Sequence, residues 1–277
     1  MAGVDEVRIF AVPSSASAPA ECTGHVVVSG SYGGEYNAWH AAKNNIRGVV
    51  LNDAGVGRDN AGINGLPYLD RIGLPAATAD VMSCHIGDGE HMLEHGVISF
   101  VNEAAAALGC SPGDSVRAVA MRLRGAPVVT AAMPAIAGGK RFRIGADDNP
   151  VKIICLDAAP MLTDEDTGSI VITGSHAALF RGKPDTVIRQ QLAAVFFNDG
   201  GVGMDGAGVN RLPTLDERGI IAGAVSATSA PIGNARAIYE DGVLYHLNRT
   251  ALNAGAAVGM RLKTFVAMLV SRSGGHL

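Results

Sequence analysis

Residues 52–70, NDAGVGRDNAGINGLPYLD, return at 198–216 as NDGGVGMDGAGVNRLPTLD, with thirteen of nineteen positions identical. The correspondence extends both ways. Val7-Arg8-Ile9 matches Val151-Lys152-Ile153 and Gly30-Ser31 matches Gly174-Ser175, both at an offset of 144. From Asn52 onward the offset is 146, through Ile86-Gly87 and Ile232-Gly233, Gly96-Val97 and Gly242-Val243, and Asn102 and Asn248, fading near Gly113 and Gly259. The two extra residues of the second copy fall near the turn-like RGKPD at 181–185. A period this long describes a doubled half-molecule, because solenoid repeats run to only about 20–50 residues.

Within a copy, strand and helix patterns alternate. HVVVSGS (25–31) is a β-branched run closed by glycine and reads as a strand. EYNAWHAAKNNI (35–46) is rich in helix formers, and GVVLND (48–53) is a second buried strand. Residues 60–73 read as a helix ended by Gly73, although Pro67 and its counterpart Pro213 weaken that reading. A third strand follows at 74–81, and an Ala-rich helix is expected at 96–109, with Asn102 inside it. The second copy is expected to repeat this order. Strand–helix alternation of this kind predicts an α/β fold of two tandem homologous halves. Each would be a mainly parallel β-sheet with flanking helices, the halves related by a pseudo-twofold axis. The expected organisation is a first α/β repeat over 1–124, a connector over 125–148 and a second α/β repeat over 149–277.

Composition excludes several classes. A chain of 277 residues with 48% apolar and 17% charged residues can bury a sizeable core and is not of the disordered type. The formal net charge of −4, with scattered Lys and Arg, gives no basic face for nucleic acid. No apolar run approaches the ~20 residues that span a bilayer, so no membrane partner is expected. The start, MAGVDEVRIF, lacks the pattern of a signal peptide. The four cysteines, at 22, 84, 110 and 155, have no CxxC spacing. Reduced thiols, a cytoplasmic location and a homo-oligomer are the corresponding expectations.

Ligands of open α/β sheets bind beyond the carboxyl ends of strands. Here those ends carry SGSYGG, NDAGVGRD and DVMSCHIGD with their counterparts, so a small-molecule site is expected in a cleft between the repeats. Asn52, Gly55, Gly57, Asn198, Gly201 and Gly203 are candidate ligand-binding residues, since glycines let a ligand approach backbone N–H groups. The spacing is neither a dinucleotide fingerprint nor a Walker loop. Asp53 and Asp199 are candidate catalytic carboxylates, but Asx-turns would also use them. Asp59 and Asp205 precede helices and read as caps. Ser31 ends its strand as a candidate anchoring hydroxyl, and Ser175, its match, as a candidate nucleophile, although neither sits in G-x-S-x-G.

Differences between the copies carry more information, because a doubled scaffold with one working site should become asymmetric. Cys84-His85 become Ala230-Pro231, Asp88 becomes Asn234 and Glu90 becomes Arg236, a candidate ligand-binding cation. His176 stands where the first copy has Tyr32. His85 oriented by Asp88, with Ser175 and His176 from the other half, is the catalytic arrangement expected. HMLEH (91–95) fits H-x-x-E-H, in which His91 and His95 would chelate zinc with Glu94 as base, but no third ligand is evident. No cofactor is otherwise indicated, and a divalent metal is the class that the acidic loops would accommodate. The leading expectation is a hydrolase or other acid–base enzyme acting on a carbonyl or amide of a polar metabolite. The alternatives are a non-catalytic nucleotide or sugar-phosphate binding protein and a zinc hydrolase.

Overall fold

Successive valines of a strand point to opposite sides of its sheet, and here both sides are buried. Val27 faces a cluster with Val49, Leu51 and Ala76, while Val26 and Val28 face another with Val50, Ala77 and Ala79. Complete burial of such a side chain contributes about 1.5–3 kcal/mol, which is why runs apolar at every position become interior strands.

The computed structural model describes residues 6–136, 138–146, 149–184 and 188–275. It is an α/β protein with two mainly parallel mixed sheets flanked by helices. The chain divides into two units. The first holds the described residues of 6–55 and 62–136 together with Gly203–Asp205. The second holds Val56–Ala61 with the described residues of 138–202 and 206–275.

In the first unit the sheet runs β1 (Ile9–Val12), β2 (Val26–Tyr32), β3 (Gly48–Asn52), β4 (Ala76–Ala79), β5 (Ile98–Val101). The first four strands are parallel and β5 is antiparallel to β4. Helices α1 (Glu35–Ala42) and α2 (Gly65–Asp70) cover one face, and α3 (Gly89–His95), α4 (Glu103–Ala106) and α5 (Val116–Leu123) the other. Gly30 in β2 has no room for a Cβ, because the Gly87-Asp88 backbone crosses against it and Gly87 N–H donates to the Gly30 carbonyl at 2.8 Å.

In the second unit β6 (Arg141–Ile144), β7 (Ile153–Leu156), β8 (Ile170–His176), β9 (Ala194–Asn198), β10 (Ile221–Val225) and β11 (Leu244–Leu247) form the sheet in sequential order. Strands β7 to β10 are parallel, and the edge strands β6 and β11 are antiparallel to their neighbours. Helix α6 (Leu212–Glu217) lies on one face, and α7 (Ala235–Asp241), α8 (Arg249–Asn253) and α9 (Leu262–Arg272) on the other.

Several local expectations are corrected. The helix expected at 60–73 is reduced to α2 behind a short 3-10 turn at Arg58–Asn60, where Asp59 and Asn60 have positive φ. The helix expected at 96–109 is β5 followed by the short α4. Asn102 caps α4 instead of lying inside it, accepting from Ala105 N–H. Asn248 caps α8 in the same way. No helix matching α1 follows β8 among the described residues. Arg181 and Gly182 both have positive φ there, and Pro184 disfavours helix at the residue before it. Asp185 of the proposed insertion lies outside the described residues.

Residues 125–148, read as a connector, contribute to both units. Val129, Met133 and Ile136 pack on the α1–α2 side, and Tyr68 Oη donates to the Pro134 carbonyl at 2.9 Å. KRFR supplies most of β6. Ala137, Asp147 and Asp148 lie outside the described residues. No described helix is long and apolar enough to cross a membrane.

Candidate functional site

The Asn-Asp pair that ends β3 is folded back on its own loop. Asn52 Oδ1 accepts from Ala54 N–H at 2.9 Å, and Asp53 Oδ1 accepts from Gly55 N–H at 2.9 Å and Val81 N–H at 3.0 Å. The matched residues after β9 do the same. Asn198 Oδ1 accepts from Gly200 N–H at 2.9 Å, and Asp199 Oδ1 from Gly201 N–H at 3.0 Å and Ala227 N–H at 2.9 Å. Both carboxyls are buried, and that burial raises each above the usual carboxylate range despite the hydrogen bonds that oppose it. The amide nitrogens of Asn52 and Asn198 point to Cys84 Sγ (3.6 Å) and the Ala230 carbonyl (2.9 Å).

The loops that follow are strained. Ala54, Gly55, Val56 and Gly57 all have positive φ, as do Gly200, Gly201, Val202 and Gly203. The left-handed region costs a non-glycine residue roughly 1–2 kcal/mol, and for a β-branched valine it is a true outlier. The Asn-Asp hydrogen bonds hold the chain in this shape. Gly203 also fits against Val81, whose side chain a Cβ would meet at 2.6 Å, and Met204 N–H donates to the Val81 carbonyl at 3.0 Å. In the second unit Arg58 N–H donates to the Ala227 carbonyl at 2.8 Å, and its guanidinium reaches the Ser229 carbonyl and the Asp241 carboxylate. The N–H groups of 54, 55, 58, 200, 201 and 204 thus already meet protein acceptors.

The last residue of Gly203–Asp205 places a carboxylate in the first unit. Asp205 Oδ2 lies 2.9 Å from His85 Nε2. The His85 side chain is 31% exposed and that of Asp205 75%. One face of the His85 ring stacks on His91, with centroids 3.7 Å apart and planes 11° apart, and His91 Nδ1 accepts the His85 backbone N–H at 3.2 Å. His95 follows His91 at 4.5 Å. Partial burial, and then the charges of His85 and His95, hold His91 below the ordinary histidine range. Asp88 does not orient His85. Its Oδ1 caps α3, accepting from Glu90 N–H at 3.0 Å and His91 N–H at 3.1 Å.

The neighbouring thiol is unsuited to nucleophilic work. Cys84 is fully buried, and burial pushes its pKa up to about 12, so it carries almost no thiolate at neutral pH. Ser31 lies in a buried serine network, accepting Ser15 N–H at 3.0 Å and reaching Ser14 Oγ at 3.4 Å. Ser175 Oγ accepts Ala159 N–H at 2.9 Å. His176 is buried and its Nδ1 accepts Ala178 N–H at 3.2 Å. Burial, then the Arg211 charge, push its pKa down to about 3. Arg236 lies over the Phe142 ring at 4.2 Å, a cation–π contact.

His85 and the two imidazoles of HMLEH form a column of rings instead of a convergent ligand set. His91 Nδ1 is already engaged, Glu94 Oε2 is 3.8 Å from His95 Nε2, and no group of three or more His, Cys, Asp or Glu among the described residues is arranged to hold a metal ion.

Asp205 is the site residue that sequence reasoning assigned elsewhere, to a cap. No sequence signal links it to His85, 120 positions away. Asp59 and Asp205 hold matching positions in the like stretches 52–70 and 198–216, and position 231, which matches His85 at the same offset, is proline. Both aspartates have positive φ, 59° and 54°. The turn therefore sets both carboxylates, and the imidazole is present for one. No protein-family model, curated protein or solved structure matches the chain.

Proposed function

We propose that the protein is an acid–base enzyme acting on a carbonyl or amide of a small polar metabolite, with His85 as the proton-transferring group and Asp205 as its orienting carboxylate. The observation that carries this reading is the 2.9 Å approach of Asp205 Oδ2 to the Nε2 of a partly exposed imidazole. Stability is a weak reason for such a pair, since exposed ion pairs contribute about 0–1 kcal/mol. When the carboxylate accepts Nε2–H, the proton is removed from Nδ1, which has no partner among the described residues. That lone pair can take a proton from a water molecule as the water oxygen attacks the carbonyl carbon. Asp205 stabilises the imidazolium that forms, and Nδ1–H then returns the proton to the leaving group. Water is the preferred nucleophile because Cys84 is buried as a thiol and Ser31 and Ser175 are engaged with their own backbone.

Asp53 and Asp199 hold their loops in this reading, and Ser175 and His176 take no part in the proton transfer. We infer that the chain arose by doubling of one α/β half, supported by the matched hydrogen bonds of the Asn-Asp pairs, and that one copy alone kept the histidine. The phosphate-binding alternative is less well supported, because several of the loop N–H groups that would cradle an anion, those of 54, 55, 58, 200, 201 and 204, already donate to protein.

A panel of small esters, lactones, amides and cyclic imides, screened for turnover by the full chain, provides the test. For any substrate found, His85→Gln is expected to lower kcat/KM by about 10²–10⁴-fold, the usual contribution of a general base. Asp205→Asn should lower it with KM little changed. Turnover that survives His85→Gln overturns the proposal.

A further inference from the structure

We propose that His91 is a positioning residue that locks the His85 ring in the orientation that Asp205 uses; this rests on the acid–base reading of His85. Two separate contacts join the residues. The His91 Nδ1 accepts the backbone N–H of His85 at 3.2 Å, and the rings stack with centroids 3.7 Å apart and planes 11° apart. His91 is itself fixed from behind, because Asp88 Oδ1 accepts its backbone N–H at 3.1 Å as the cap of α3.

The two contacts have definite consequences. An Nδ1 that accepts a hydrogen bond carries no proton, so His91 is the Nε2–H tautomer of a neutral imidazole. Its ring plane is then determined by the direction of the His85 N–H. Stacking on that plane removes the freedom of the His85 ring to turn about its Cβ–Cγ bond. Such a turn would carry Nε2 away from Asp205, a half-turn putting Cε1 in its place and Cδ2 in the place of Nδ1, so that the reactive nitrogen is misplaced. Asp205 by itself is a poor clamp, because its side chain is 75% exposed. The second copy supports the pairing of roles. It has Pro231 in place of His85 and Ala237 in place of His91, so base and support are missing together, whereas the cap is kept as Asn234, which accepts from Ala237 N–H at 3.0 Å.

Histidine-selective ¹⁵N labelling of the full chain and two-bond ¹H–¹⁵N correlation spectra test this directly. In the unaltered protein His85 should show one tautomer, protonated at Nε2, and His91 an unprotonated Nδ1. In His91→Ala the His85 ring nitrogens should move toward tautomer-averaged shifts. Its Nε2–H should exchange with water about tenfold faster, the factor an aromatic stack sustains. His91→Asn offers an oxygen in the place of Nδ1 without a ring. It should restore slow exchange of the His85 backbone amide while the His85 ring stays averaged. His85 ring signals in either variant that coincide with those of the unaltered protein, with the methyl spectrum unchanged, overturn the proposal. That failure is distinct from failure of the proposed function, which is read from turnover in His85→Gln.

Discussion

Replacing Asp53 in two ways separates a carboxylate that holds a loop from one that reacts. Asp53→Ala removes the acceptor shared by Gly55 N–H and Val81 N–H. The Val81 donor is buried, and a buried donor left without a partner costs about 1–3 kcal/mol. The Gly55 donor lies on an exposed residue and can turn to water, so the substitution should cost roughly 1–3 kcal/mol, with further release of the strained loop behind it. Asp53→Asn keeps Oδ1 in place, and its amide can donate to the Ser99 hydroxyl that now faces the carboxyl. It should change stability by less than about 1 kcal/mol, within the range of a volume-conserving polar exchange. The charge is not required for holding the loop. Burial places the folded pKa of Asp53 above its unfolded value of about 3.9. Between those values the native state binds more protons than the unfolded chain, so this group's contribution is greatest below the unfolded pKa and declines as pH rises through the folded one. Asp53→Asn removes that slope. Urea unfolding followed by the fluorescence of Trp39, the one tryptophan of the chain and a residue of α1, reads the first unit. Asp199→Ala, followed by circular dichroism, should likewise lose stability, through the Ala227 N–H group left without its acceptor. If Asp53→Asn proves as costly as Asp53→Ala, the negative charge is needed and the loop-holding account fails.

Further outcomes follow from single side chains. Asn102 Oδ1 accepts from Ala76 and Ala105 N–H groups and its amide donates to the Leu74 carbonyl, all at 2.9 Å, so Asn102→Ala should cost about 3–5 kcal/mol in urea unfolding. Asn248→Ala, which breaks the same three links to Ala222, Ala251 and Ile220, should cost about as much. A loss below about 1 kcal/mol in either would contradict this. Both ring nitrogens of His40 are buried without a hydrogen-bond partner among the described residues, and burial pushes its pKa down to about 4. A histidine with a lowered folded pKa supports the fold above its unfolded value, about 6.5, and loses that support as pH falls toward 4. His40→Phe should therefore reduce the loss of stability between pH 7 and pH 5 by about 1–2 kcal/mol, allowing for partial exposure, and an unchanged pH dependence would refute it. Val202→Gly should raise the urea midpoint by the equivalent of roughly 0.5 kcal/mol, because relief of a left-handed valine exceeds the entropic cost of glycine.

The sequence by itself determined the fold class, α/β with mainly parallel sheets. Valine runs with no polar interruption read as strands buried on both faces, and the motif at 52–70 and 198–216 placed the same Gly-rich turn after β3 and β9. Those are local properties, set by a period of two and by the few residues that tolerate positive φ. It also marked His85 as a candidate, through the proline at the matching position 231. The folded chain decided what local pattern does not encode. Tertiary pairing turned the Ala-rich stretch at 96–109 into β5 and a short capped helix, because Ala77, Thr78 and Ala79 offered an edge to pair with. The candidate site depends on the folded chain most of all. Asp205 and His85 meet across 120 positions, and a carboxylate that reads as a helix cap becomes the partner of an imidazole only when the turn at Gly203–Asp205 is seated against Val81.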